Sequence, residues 1–113
     1  MLFNRTQNKV ITQNIVLADS FILRLKGLSL TNRKPVDTAW IFPECQIIHM
    51  FFMFFPIGLI YLDRQKQVVR CIDRIKPWRI SPFVKKAYYI VEVLPEVTQN
   101  VNVGDQLEFE SLS

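Results

Sequence analysis

Glycine is scarce in this chain: three residues in 113. None stands in a phosphate-cradling loop, so the common nucleotide-binding enzymes are excluded. The two cysteines, Cys45 and Cys71, form no C-x-x-C pair. This excludes a thioredoxin-like motif and a disulfide scaffold, and two reduced thiols are expected, although one bridge is geometrically open. His49 is the only histidine, and no further histidine could complete a zinc site with Cys45 and Cys71. No apolar run reaches the ~20 residues of a membrane-spanning helix. The longest, residues 47–62, is interrupted by His49, Pro56 and Gly58 and reads as two buried strands. Residues 1–9 lack the apolar stretch and small-residue cleavage site of a secretory leader, so the cytoplasm is the expected compartment. Acid placement offers nothing to a paired-carboxylate glycosidase.

Half of the residues are hydrophobic and the net charge is +4, which excludes a disordered polyelectrolyte. The length suits a single compact domain over residues 1–113 with its core at about 10–110. Strand signals run over residues 10–17, 38–42, 46–52, 57–62, 68–75, 87–93 and 106–110. Asp19 and Ser20 cap a short predicted helix over 21–28, closed by Gly27. A hairpin is predicted at Arg64–Lys66, a loop over 76–86 and one helical turn within 94–103. The fold class is therefore mainly β: a small barrel or barrel-like sandwich of six or seven short strands with one or two short helices.

The order of motifs resembles the bacterial and archaeal family known as domain of unknown function 192. The resemblance rests on Gly27-Leu28, the block from Pro43 to Ile57, Tyr61-Leu62-Asp63 and Val68-Val69. Pro77-Trp78-Arg79, Val91-Glu92-Val93 and Gly104-Asp105 complete it, over about residues 10–110. It implies a mostly β fold with a small helix and no particular reaction. Pro56 belongs to its pattern, as do the turn positions Gly27, Asp63, Gly104 and Asp105. Two departures stand out: Gly58 replaces the family's usual aspartate, and the Arg64–Lys66 turn lacks a glycine often found there.

The ligand-pocket candidates are Cys45, His49, Trp78, Arg79 and Glu92. His49 alone has an ordinary pKa near neutrality, yet in an apolar strand a hydrogen-bonded structural imidazole is the simpler reading. Cys45 and His49 lie four apart, ~13 Å along a strand, too far for one metal or a nucleophilic dyad. Asp63 and Asp105 read as turn residues that bond their own backbone. Glu92 shares a strand face with Ile90 and Leu94, and if that face points inward it needs a partner, for which Arg79 or His49 could serve. Trp78 is expected to pin its loop to the core, with a pocket wall as the alternative. Residues 64–86 hold eight Lys or Arg and one acid, whereas 92–110 hold five acids and no base.

The leading expectation is a non-enzymatic accessory or binding protein, with a small pocket near His49, Trp78 and Arg79 for a small molecule or peptide. No cofactor or metal is expected. The alternatives are a small enzyme using His49 or Cys45, and a basic face over residues 64–86 that binds nucleic acid or another anionic polymer.

Overall fold

The computed structural model describes residues 1–17, 37–47, 55–76 and 78–110. The predicted helix with Gly27, His49, Pro77 and most of the predicted 46–52 strand lie outside the described residues. The described residues hold eight strands: β1 (Leu2–Asn4), β2 (Lys9–Thr12), β3 (Asn14–Leu17), β4 (Thr38–Pro43), β5 (Ile57–Leu62), β6 (Val68–Ile75), β7 (Tyr89–Val93) and β8 (Leu107–Phe109). A 3-10 helix occupies Pro95–Asn100. The protein is mainly β, as its sequence implies.

The strands form two sheets. One has the order β2-β1-β8 and the other β3-β4-β7-β5-β6. The larger is antiparallel except for the β3–β4 pair, which runs parallel. Its order does not return to its start, so this is a layered sandwich rather than a closed barrel. The two strands at its heart are apolar on both faces: all six residues of β5 and the last four of β7 are buried. A strand covered on both sides reads as a continuous apolar run, which is why IGLIYL shows no alternation.

Each face of the larger sheet belongs to its own core. On one, Ile41, Ile60, Leu62, Val91 and Val93 meet Leu2, Ile11, Leu107 and Phe109 of the smaller sheet. On the other, Ile57, Leu59, Tyr61 and Ile90 pack with Phe55, Ile75 and Ala87. Cys71 borders the first core and Cys45 the second. Neither thiol is in a disulfide, and the sheet between the two cores keeps them from bridging.

Several element boundaries differ from those predicted. Residues 10–17 are two strands, broken at Gln13, whose N–H donates to Asp37 Oδ1 at 2.9 Å. Thr12 thereby ends β2 in one sheet and Asn14 begins β3 in the other. β1 was not expected; it is a strand through pairing with β2 and β8. Gln46 and Ile47 lie outside any strand. β7 begins at Tyr89, because Cys45 N and Tyr88 O bond where the two chain segments part, at 2.9 Å.

Two polar devices hold the layers in register. Buried Asp105 receives Asn4 Nδ2 at 2.8 Å, Gln7 Nε2 at 2.7 Å and the Asn102 N–H at 2.9 Å on one carboxylate oxygen. Burial pushes its pKa up, but those three donors outweigh burial and leave it below the ordinary carboxylate value. At the β5–β6 hairpin, Asp63 Oδ1 accepts the N–H groups of Gln65 and Gln67, each at 2.9 Å. Lys66 takes the left-handed position there (φ 66°), where glycine is the usual choice. Its ammonium lies 4.3 Å from the Phe109 ring centroid.

Candidate functional site

The loop joining β6 to β7 carries the densest unassigned chemistry. It is held from within at two points. Tyr61, fully buried on β5, donates its hydroxyl to the Pro82 carbonyl at 2.8 Å. The Val84 N–H donates to the Gln46 carbonyl at 3.1 Å. Ser81 is buried between them. With the loop fixed at residues 81–84, positions 78–80 project between that anchor and the end of β6.

Trp78 is 57% exposed, and the hydrogen bond from Tyr61 to Pro82 holds the loop from within. The Trp78 backbone stands in the left-handed region (φ 64°), which a bulky side chain rarely adopts and which costs of order 1–3 kcal/mol. An exposed aromatic held in a costly conformation is a recurrent feature of ligand sites.

Around it lies an open cleft of about 570 Å³ lined by Pro56, Arg74, Lys76, Trp78 and Arg79. Arg74, Lys76 and Arg79 are all exposed. Among the described residues the lining holds three cations and no carboxylate, which creates a positive field beside an indole face and a proline ring. Guanidinium groups present a planar fork that matches a carboxylate or phosphate, and the indole offers a flat apolar wall.

A second groove, of about 720 Å³, is larger but carries charges of both signs. Its Arg64 guanidinium lies 4.6 Å from the Tyr88 ring centroid. The Tyr88 hydroxyl reaches Glu44 Oε1 at 3.4 Å, Gln46 Nε2 donates to the Lys85 carbonyl, and Asp63 is engaged in its own turn. Its described lining sets two acids, Glu44 and Asp63, against three cations, Arg64, Lys85 and Lys86, so its net charge is smaller than that of the Trp78 cleft.

The remaining sequence-selected residues separate. Cys45 stands by the second groove's wall and its thiol donates to the Ile47 carbonyl at 3.2 Å. Cys71, across the sheet, is a poor nucleophile: burial, helped by the nearby Asp73 charge, pushes its thiol up to about 11. Glu92, the fourth of the five residues of β7, is 3% exposed, between Trp40 of β4 and Leu59 of β5 in register. Its face is inward, together with Ile90 and Leu94. His49 lies outside the described residues. Trp78 and Arg79 therefore share a cleft, whereas Cys45 does not line it. Pro56, chosen from the sequence as a structural position, proves to line it too. Arg74 and Lys76 were legible only as part of a basic run. Among the described residues no cluster of three or more His, Cys, Asp or Glu could hold a metal ion. Among the same residues no helix is long and apolar enough to cross a membrane.

Residues 2–109 match the model of a family described as "Uncharacterized ACR", the domain of unknown function 192. A UPF0127 protein from Thermococcus sibiricus is 37% identical over 97% of this chain and 75% of its own length. A second UPF0127 protein, from Pyrococcus furiosus, is 35% identical over 98% of this chain and 99% of its own. The fold is similar to the crystal structure of a protein of unknown function from Novosphingobium aromaticivorans, with a TM-score of 0.80. That likeness covers 96% of this chain and 82% of the other at 16% sequence identity.

Proposed function

The chain belongs to the family of domain of unknown function 192, and on that footing we propose that it is a binding module whose cleft at Trp78 takes a small organic anion. The ligand class is a carboxylate or phosphate joined to a planar or apolar group. The anionic end meets Arg74, Lys76 and Arg79, and the apolar part lies on the Trp78 indole and Pro56. The observation that carries this reading is the juxtaposition of three exposed cations with an exposed, left-handed tryptophan on a loop anchored from inside. Binding is favoured over catalysis because the described residues of the cleft lining supply charge and an apolar wall but no nucleophile or general base. Cys71 is held in its protonated form at neutral pH.

Titration of the full chain with phenyl phosphate, followed by tryptophan emission, tests the proposal. Trp78→Phe serves as the blank, since Trp40 also emits. Saturable quenching is expected in the wild type and not in the blank. Arg79→Gln should weaken binding about tenfold, the value of one charge-assisted pair. Equal response from the wild type and Trp78→Phe would overturn the assignment.

A further inference from the structure

We infer that the loop bearing this cleft docks on an anionic lipid surface, with a lipid phosphate headgroup as the anion that enters the cleft. The inference rests on the anion-binding reading above and goes beyond it in naming the partner.

Three large apolar side chains crowd the outer side of the loop within six residues. Trp78 is 57% exposed, Ile80 61% and Phe83 60%. Six residues span at most ~20 Å, so the three belong to one patch. Between residues 74 and 86 stand five cations, Arg74, Lys76, Arg79, Lys85 and Lys86, all exposed, and no acid. Ile80 and Phe83 stand exposed on either side, along the chain, of buried Ser81 and of Pro82, whose carbonyl Tyr61 holds.

This composition matches the bilayer interface. Tryptophan and phenylalanine settle at headgroup depth, an aliphatic tip enters the acyl boundary, and flanking lysines and arginines meet lipid phosphates. A single-stranded nucleic acid would use the cations and the aromatic rings, but it offers nothing to Ile80, which has no ring face on which a base could stack.

The test uses the full chain with vesicles of phosphatidylcholine alone, or of phosphatidylcholine mixed with phosphatidylglycerol. Co-sedimentation and Trp78 emission report binding, and phenyl phosphate titration runs in parallel. Binding to the mixed vesicles only, with blue-shifted emission, is expected. Ile80→Ser/Phe83→Ser should abolish vesicle binding while leaving phenyl phosphate binding intact. Lys85→Gln/Lys86→Gln should weaken vesicle binding about fivefold per charge removed. Thermal melts confirm that these surface variants fold.

Phenyl phosphate binding without vesicle binding overturns the lipid inference and leaves the anion cleft standing. So does unchanged vesicle binding by Ile80→Ser/Phe83→Ser. Failure of both probes overturns both readings. Vesicle binding without phenyl phosphate binding removes the headgroup from the cleft and overturns the inference as stated. Tighter binding to a single-stranded oligonucleotide than to mixed vesicles overturns it in favour of nucleic acid.

Discussion

At position 58 a side chain has nowhere to go. A Cβ there would stand 2.4 Å from the Thr98 methyl and 3.3 Å from the Asp73 carbonyl oxygen. The 3-10 helix packs against β5, and the lack of a Cβ at Gly58 is what lets it do so. Gly58→Ala should cost about 1–3 kcal/mol in urea unfolding, the range for overpacking a tight site. Thr98→Ser, which removes that methyl and keeps the hydroxyl, should recover most of the loss in the double variant. Full additivity would show that the contact is not the cause. Asp105 makes a second residue-scale claim. Its folded pKa is lowered, so the unfolded chain binds more protons as the carboxylate titrates, and the stability it contributes grows with pH there. That contribution is fully present above the unfolded value of about 3.9 and is lost as pH falls through the lower folded value. Asp105→Asn should therefore be destabilised relative to the wild type at pH 6 by about 1–3 kcal/mol. The gap should close toward pH 2, as paired urea melts would show. A gap constant with pH would contradict the network's charge.

Elements differ in how openly the chain announces them. β5 and β6 have the bounds predicted, because the polar stretch from Asp63 to Gln67 divides two apolar runs and makes its own turn. β1 was hidden because three residues carry no period. It is a strand by pairing with β2 and with β8, whose residues lie more than a hundred positions away. The alternation of β7 placed Glu92 with Ile90 and Leu94, but alternation states which residues share a face and not whether that face is covered. The same limit applies to Trp78. Its place between two prolines marked a loop residue, while its exposure is set by tertiary contacts of the loop, among them the Tyr61–Pro82 hydrogen bond. Arg74, Lys76 and Arg79 were visible as a charge run; their convergence on one cleft required the turn after β6. The loop also carries a stability consequence. Trp78→Gly relieves the left-handed strain, offset by the backbone freedom that glycine adds to the unfolded chain, for a net gain of about 1 kcal/mol. Chemical denaturation should show that gain alongside the loss of phenyl phosphate binding. A loss of stability would mean that the indole supports the fold.

For the molecule as a whole, the division of labour is between a rigid double-faced sheet and one loaded loop. β5 and β7 supply a frame buried on both sides. Tyr61 passes that rigidity outward to Pro82, and the cleft inherits it. The uneven charge of the sequence follows the same plan, since Arg74, Lys76 and Arg79 stand exposed around the cleft, while Asp105 is spent inside on the joint between β1 and the turn before β8. The larger groove at Tyr88 is the natural competitor as a binding site. A ¹⁵N-correlation NMR titration with phenyl phosphate separates the two most directly. The predicted result is saturable shifts at the Trp78 indole N–H and at the backbone amides of Arg74, Lys76 and Arg79, with Arg64, Gln65 and Tyr88 unmoved. Shifts centred on Arg64 and Tyr88, or none anywhere at saturating ligand, would contradict the account.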